Sequence, residues 1–285
     1  MSKKNKAPRP EPETLALPRL GVDSHAHLDL VDFDADREEL MDRAQASGVA
    51  RTGNVFLGPK AYLDNRRMFQ NRPEIFFLLG IHPGNADQCS DDALAAMRQA
   101  FESDPRLRAI GEIGLDYYWD DHPRAQQEQV FRAQLKLASQ LGLPPVVHCR
   151  DAFEDTLRVL LDEGFGGRKL LWHCFGGDEA QARTLLGHGW HLSIPGPVSY
   201  AKNEDMQRAV AAIPLERLLL ETDCPYLSAE PWRGKRNHPA LLGFTAVSVA
   251  RLRDMPVDAL WAATGKNAID FFGLPELSST PEGHP

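Results

Sequence analysis

The sequence has no apolar run that approaches the roughly 18 residues needed to cross a bilayer as a helix. Lysines near the N-terminus are followed by no apolar segment, which argues against a secretory signal. We therefore expect a cytoplasmic protein that has no membrane partner.

Positive charge is also in short supply. Lysine and arginine number 32 against 40 aspartates and glutamates, which gives a net charge of −8 at pH 7. This balance argues against a general basic surface for nucleic acid. An anionic substrate would need a local source of positive charge, and bound divalent metal ions can supply it.

Cysteine is scarce. The four cysteines, Cys89, Cys149, Cys174 and Cys224, form no CxxC pair, so neither a disulfide framework nor a zinc knot is indicated. The last three directly follow a His or Asp at a predicted strand end, and successive strand residues point to opposite faces. We expect these three under the outer helices as small buried hydrophobic residues, with a redox or ligand role as the alternative.

The chain of 285 residues divides by composition into a core and two tails. Residues 1–18 are rich in Lys, Arg, Pro and Glu, so we expect a disordered N-terminal tail. Its basic residues are Lys3, Lys4, Lys6 and Arg9. They would suit a nucleic-acid-binding arm, but Glu11 and Glu13 follow at once and favour a solvated tail. Residues 19–274 are predicted to form one domain, and residues 275–285 a flexible C-terminal tail.

Short apolar runs alternate with amphipathic stretches through the predicted domain. Such strands alternating with helices predict a parallel sheet buried on both faces. Eight units in roughly 255 residues fit a (β/α)8 TIM barrel in number and size, with an open doubly wound sheet as the alternative. The predicted strands are Leu20–Ser24, Arg51–Leu57, Ile75–His82, Leu107–Leu115, Pro145–Arg150, Lys169–Phe175, Trp190–Pro195 and Leu218–Thr222. The predicted helices are Asp34–Ser47, Asp91–Ser103, Pro123–Gln140, Phe153–Glu163, Asp178–His188, Asn203–Ala212, Pro239–Arg253 and Val257–Phe272.

Several polar residues lie toward the carboxyl ends of these strands: His25, His27, Glu112, His148, His173 and Asp223. In a barrel these ends share one face, where the active sites of this fold are found. His25 and His27 are two residues apart, so both imidazoles can enter the barrel while Ala26 points away. Any single histidine of this set is more simply explained as a satisfied core or surface residue. Buried carboxylates are costly unless they are paired or bind metal, so the complete set favours a metal centre.

This set of side chains is larger than one tetrahedral zinc ion needs. It fits two metal ions about 3.5–4 Å apart with Glu112 bridging them. Imidazole and carboxylate suit Zn²⁺, Mn²⁺ or Fe²⁺ better than Ca²⁺. We expect two divalent metal ions, drawn from Zn, Mn, Mg and Fe.

Ordered motifs extend this pattern along the chain: DSHAHLD at 23–29, GIHP at 80–83, GEIGLDYY at 111–118, VHCR at 147–150, HCFGG at 173–177 and ETDCPY at 221–226. Together they resemble the motifs of the TatD family of metal-dependent deoxyribonucleases, from about Leu20 to Gly273. The HxH pair alone would indicate only the wider amidohydrolase superfamily. The resemblance implies a (β/α)8 fold, bound divalent metals and removal of nucleotides from DNA or RNA ends.

The resemblance also implies roles for the matching residues. It assigns His25, His27 and Asp223 to one metal, His148 and His173 to the other, and Glu112 to both. Asp223 and Glu112 are accordingly the candidate catalytic residues. Asp223 is the natural proton acceptor for the attacking water.

Three neighbours are candidates for supporting roles. Arg150 shares the inward face of its strand and could clamp a phosphate, or form an ion pair at the barrel mouth. His82 could bind the substrate phosphate or donate a proton to the leaving group, or simply cap its loop. Glu221 could support a metal ligand or form an ion pair in the barrel core.

Other residues near the predicted mouth are ambiguous. Arg233, Lys235 and Arg236 could contact phosphates or form a solvated loop, and His238 replaces an acidic residue common in the family. Aromatic residues in this region could stack bases or pack the barrel: Tyr117, Tyr118, Trp119 and Phe175.

We expect hydrolysis of phosphodiester bonds in DNA or RNA, from a 3′ end, by a monomeric exonuclease. The alternative is a carbonyl substrate, such as an aminoacyl ester, an amide or a lactone, at the same metal centre. The ligands alone do not separate these two hypotheses. A nucleic-acid-binding or scaffold protein with a relic site is a third, and the complete ligand set argues against it.

Overall fold

A computed structural model describes residues 8–119 and 121–277. Its eight parallel strands follow one another around a sheet in chain order. A bridge between Ala26 and Cys224 joins the first strand to the segment after the last, which nearly closes the sheet into a barrel. The predicted (β/α)8 TIM barrel is confirmed. The strands are β1 Gly21–Ala26, β2 Val49–Leu57, β3 Ile75–Gly80, β4 Leu107–Asp116, β5 Pro145–Arg150, β6 Leu171–Trp172, β7 His191–Ile194 and β8 Leu218–Leu220.

The helices surround this barrel and lie close to their predicted positions. They are α1 Arg37–Ala46, α2 Pro59–Asn65, α3 Asp91–Ser103, α4 Arg124–Leu141, α5 Phe153–Asp162, α6 Glu179–Gly187, α7 Glu204–Ala212, α8 Leu242–Leu252 and α9 Val257–Phe272. The sequence pattern predicts neither α2 nor the 3-10 helix Arg66–Phe69 after it. Each buries one residue, Tyr62 and Phe69, which is too little for a helical apolar stripe.

Two layers of side chains fill the core. The inner layer takes residues such as Val22, Leu78 and Leu219 from most of the strands. At one end it packs against Phe271 and Phe272 of α9, so that end of the barrel is covered. The catalytic face of the fold is the other end, where the strands finish.

Close packing places α9 against the start of β1. A Cβ atom on Gly265 of α9 would lie 1.9 Å from the carbonyl oxygen of Leu20, far inside van der Waals contact. Glycine is therefore required where this helix crosses the beginning of β1, the strand that carries the HxH motif.

The expectation of a disordered tail is wrong for residues 8–18. They include a 3-10 helix, Pro12–Leu15, and a buried Leu17. Arg43 of α1 binds Glu13 at 2.6 Å, and the indole of Trp232 donates to the Pro10 carbonyl at 3.0 Å. The composition of residues 1–18 does not predict this packing, because their few apolar residues are spread among many charged ones.

The remaining tail residues are only partly described. Residues 275–277 form neither helix nor strand, whereas residues 1–7 and 278–285 lie outside the described part of the chain. In the described part, no helix combines the length and apolarity that a bilayer crossing requires.

Candidate metal centre

Glu112 lies at the centre of the predicted ligand set. Its Oε1 is 2.5 Å from His148 Nδ1 and 2.7 Å from His173 Nε2. Its Oε2 is 3.4 Å from His25 Nε2 and 3.8 Å from His27 Nε2. The two carboxylate oxygens therefore face two separate pairs of histidines.

Asp223 lies on the side of the HxH pair. Its Oδ1 is 3.4 Å from His27 Nε2 and 3.9 Å from His25 Nε2. The Asp223 amide donates to the His25 carbonyl at 2.9 Å, so backbone pairing fixes this proximity. Asp223 has a left-handed φ of +54°, which is uncommon for a residue other than glycine and typical of functional sites.

The ring of His25 shows that this cluster suits a cation. The side chain is fully buried, and neither ring nitrogen has a hydrogen-bond partner within residues 8–119 and 121–277. An unsatisfied buried nitrogen is costly, and a neutral imidazole lone pair is a good metal ligand. The donor atoms of His25, His27 and Glu112 lie close enough together to hold an ion, as do those of Glu112, His148 and His173.

Electrostatics keep the two carboxylates ionised. Burial raises the pKa of Glu112, but the charges of His173 and His148 outweigh burial and hold that pKa well below its usual value. Burial likewise raises the pKa of Asp223, but the hydrogen bond from His27 and the charge of His27 lower it overall. Burial lowers the pKa of His25, which favours its neutral form.

Asp116 supports this centre and was missed in the sequence. Its Oδ2 lies 2.9 Å from Nε2 of His148, on the side of the ring opposite Glu112. A carboxylate on the second nitrogen of a ligating histidine fixes the orientation of the ring. The available signal was spacing, because Asp116 follows Glu112 by four residues on one strand.

Glu221 supports the centre from the other side. Its Oε1 lies 3.3 Å from His173 Nδ1 and accepts from the Cys174 amide at 2.7 Å. Its Oε2 accepts from the Ser193 hydroxyl at 2.6 Å. The sequence offered two interpretations of Glu221, support of a metal ligand or an ion pair in the core. Its contact with His173 agrees with the first.

Asp23 joins β1 to the segment after β8, a contact for which the sequence has no local pattern. Its carboxylate accepts from the Thr222 amide at 2.9 Å and from the Thr222 hydroxyl at 2.6 Å. Burial raises the pKa of Asp23 to about 7, although these hydrogen bonds oppose the shift. The contact holds the neighbours of His25 and Asp223 together.

His82 has both of the contacts that the sequence offered as alternatives. Nδ1 accepts from the Gly84 amide at 3.0 Å and thereby caps the 3-10 helix Pro83–Gln88. Nε2 lies 3.8 Å from Glu112 Oε1 and faces the centre. Burial lowers the pKa of His82 to about 4. Because Nδ1 accepts from the Gly84 amide, the neutral ring carries its proton on Nε2.

A cavity of about 1020 Å³ opens over the centre and is lined by Glu112, His148, His173, Asp223 and Arg150. Arg150 is exposed, and its guanidinium carbon lies 3.8 Å from the ring centroid of Tyr118. It forms no ion pair with a carboxylate of the described residues, so the suggested ion pair at the mouth is not found there.

Two arginines of the basic segment after β8 contact other residues of the protein. Arg236 pairs with Asp36 and donates to the Asp32 carbonyl, and Arg233 stacks 4.0 Å from the ring centroid of Tyr200. His238 is buried, and burial lowers its pKa to about 4. Lys235 is exposed.

The prediction for the cysteines holds in part. Cys224 is buried in the core, and Cys149 packs against the core, although it is only partly buried and also lines the cavity. The prediction is wrong for Cys174, which lines the cavity, has φ +51° and is not among the described residues that pack against the core. Strand alternation does not reach it, because β6 already ends at Trp172.

A cluster of histidines and carboxylates at the carboxyl end of a (β/α)8 barrel is the arrangement expected of a metal-dependent hydrolase. The model of the TatD related DNase family matches residues 22–273. An uncharacterized metal-dependent hydrolase of Bacillus subtilis, YabD, is 36% identical over 88% of this chain and 98% of its own length. The chain belongs to the TatD family.

Two further relatives agree with this assignment. The 3'-5' ssDNA/RNA exonuclease TatD of Erwinia amylovora is 33% identical over 88% of this chain and 99% of its own length. The crystal structure of the TatD homologue YJJV from Escherichia coli superposes with a TM-score of 0.84 at 28% identity. That match covers 90% of this chain and 99% of the other.

Replacing Asp116 by asparagine tests whether Asp116 positions His148. The amide side chain keeps one oxygen for the backbone but loses the carboxylate oxygen that contacts the ring. We expect the affinity for Mn²⁺, measured by titration calorimetry, to fall roughly 10–100-fold. The matched control is Asp270→Asn at an exposed carboxylate of α9. Equal affinity in the two variants would contradict the positioning role.

Proposed function

We propose that this protein is an exonuclease that hydrolyses phosphodiester bonds at the 3′ ends of DNA, and of RNA as a second substrate. The observation that carries the proposal is Glu112 between two histidine pairs, at the floor of a cavity that also contains Arg150. The name of the Erwinia relative supports the choice of a phosphodiester substrate.

Two divalent ions fit this arrangement. His25, His27 and Asp223 would hold one ion, His148 and His173 the other, and Glu112 both. When bound, such ions activate water and offset the charge that develops on the phosphoryl oxygens. They also make the centre positive within an acidic protein, which draws an anionic substrate to it.

Asp223 accepts the proton of the attacking water in this proposal. Its carboxylate lines the cavity, and the hydrogen bond from the Asp223 amide to the His25 carbonyl fixes its position. The neighbouring histidines outweigh burial and hold its pKa below the usual value, so the carboxylate is ionised. The water oxygen bonds to phosphorus, the bond from phosphorus to the 3′ oxygen of the preceding nucleotide breaks, and that 3′ oxygen takes up a proton from solvent. The products are a nucleoside 5′-phosphate and a shorter strand with a 3′ hydroxyl.

His82 binds the substrate by donating a hydrogen bond. The Gly84 amide occupies Nδ1, so the proton of the neutral ring is on Nε2, which faces the centre. A neutral ring held in this way suits donation to a phosphoryl oxygen better than full proton transfer to a leaving group.

The walls of the cavity favour a short substrate segment. Their cations are Arg124, Arg150 and Lys202, and their carboxylates beyond the centre are Asp151, Glu154, Asp155 and Asp205. Such a balance gives little attraction for a long polyanion, because nucleic-acid affinity grows with the number of neutralised phosphates. A strand end that enters with a few nucleotides matches these walls.

The same balance favours a second candidate, a small carbonyl substrate such as an aminoacyl ester, an amide or a lactone. Water activated at the centre attacks a carbonyl carbon by the same chemistry.

Incubation with 5′-labelled single-stranded DNA tests the proposed activity. We expect metal-loaded enzyme to give a ladder of stepwise shorter strands, and a chelator to abolish it. Asp223→Asn should lower the rate on the order of 10²–10⁴-fold, because the proton acceptor is lost. Asp270→Asn, the same chemical change at an exposed site, should leave the rate unaltered. Intact DNA with every metal tried, together with cleavage of an aminoacyl ester, would establish the alternative.

Substitution of His82 by asparagine tests its role in binding. Asparagine retains an acceptor for the Gly84 amide but is too short to reach the centre. We expect kcat/KM on DNA to fall roughly 10-fold or more, as for loss of a hydrogen bond to a charged group. Metal affinity should stay at the wild-type value. A parallel loss of metal affinity would identify His82 as a ligand instead.

A further inference from the structure

Two large aromatic side chains are exposed beside the metal centre. Tyr118 and Trp119, directly after β4, are 54% and 55% exposed. Their rings contact each other edge to face, with centroids 4.9 Å apart. Tyr117 before them binds Asp155 through its hydroxyl, and Phe175 is buried. Of the four aromatic residues singled out in the sequence, these two therefore present open ring surface.

A cation contacts this aromatic pair and also lines the cavity over the centre. The guanidinium carbon of Arg150 is 3.8 Å from the ring centroid of Tyr118 and 5.7 Å from that of Trp119. Arg150 also lines the cavity that contains Glu112. Its place follows from sheet register, because Arg150 pairs with Asp116 at the ends of β5 and β4.

The backbone of the aromatic pair is tied to the centre. The amides of Tyr118 and Trp119 donate to Asp116 Oδ1 at 2.9 and 3.1 Å. The other oxygen of the same carboxylate contacts His148 at 2.9 Å. One side chain therefore fixes both a candidate metal ligand and the segment that presents the rings.

We propose that Tyr118, Trp119 and Arg150 form a base-stacking subsite for single-stranded nucleic acid, an inference that rests on the proposed function. The guanidinium binds a backbone phosphate next to the scissile one, and the rings stack the base attached to it. The metal centre would take the scissile phosphate, Arg150 the next phosphate, and the rings the base attached to it. This arrangement matches the alternation of phosphate and base along a strand.

Single strands fit this subsite better than duplexes. Base–aromatic stacking requires a free base face, and every base has one, so the subsite is tolerant of sequence. A duplex keeps its bases stacked on one another and would have to fray before a base could reach Trp119. The subsite therefore selects strand ends that are already unpaired.

A double-mutant cycle between protein and substrate tests the subsite. The substrates are a single-stranded oligonucleotide and versions with one abasic residue at each of the last three nucleotides in turn. The enzymes are wild type, Tyr118→Ala, Trp119→Ala and Trp119→Phe. We expect either alanine variant to raise KM roughly 10-fold, while Trp119→Phe keeps most of the affinity. An abasic residue at one position should raise the KM of wild type by about the same factor. It should raise the KM of the alanine variants no further, because they have already lost the stacking contact.

Controls separate this role from damage to the fold or to the centre. Leu63→Ala removes a side chain that is 56% exposed on α2 and should leave KM unchanged. Metal content should equal that of wild type in every variant. The subsite would be overturned if Trp119→Ala had the KM of wild type. It would also be overturned if the effects of the alanine substitution and of the abasic residue on KM added independently at all three substrate positions. In both cases the nuclease activity would stand. A wild-type enzyme that shortens no oligonucleotide would overturn the proposed function and the subsite together.

Discussion

The carboxylate of Glu112 is buried in the mouth of the barrel, where a lone negative charge would be strongly unfavourable. Positive or metal-bound partners are needed on both of its oxygens, and the barrel places a pair of histidines opposite each one. Those histidines come from β1, β5 and the segments after β1 and β6, so the closed sheet is what assembles them. The candidate chemistry thus depends on the closed sheet that brings these histidines to one carboxylate.

A second set of carboxylates holds the histidines in place. Asp116 contacts His148, and Glu221 contacts His173, each on the ring nitrogen turned away from Glu112. Such contacts fix the ring and its tautomer before a metal arrives, which reduces the reorganisation needed on binding. Asp116 also anchors the exposed aromatic segment, so the geometry of the centre and that of the surface beside it are coupled.

Regular features could be predicted from the sequence, because they depend on periodicity. The bounds of α3 and α9 agree with those predicted, and the strands agree within a few residues. The candidate ligands at the carboxyl ends of the strands could be predicted to lie together, because strand ends converge in a barrel. Contacts between distant segments, such as Trp232 with Pro10, leave no local pattern, so residues 8–18 were misassigned. Cys174 was misplaced because β6 is only two residues long and alternation ends before it.

The most direct test of the central claim is the number of metal ions bound per chain, measured by elemental analysis after equilibrium dialysis against Mn²⁺ or Zn²⁺. If Glu112 joins two sites, wild type retains two ions per chain. Glu112→Gln then loses affinity at both sites at once, because one side chain serves both. A wild-type protein that retains at most one ion, or a Glu112→Gln variant that keeps two with unchanged affinity, would contradict the account.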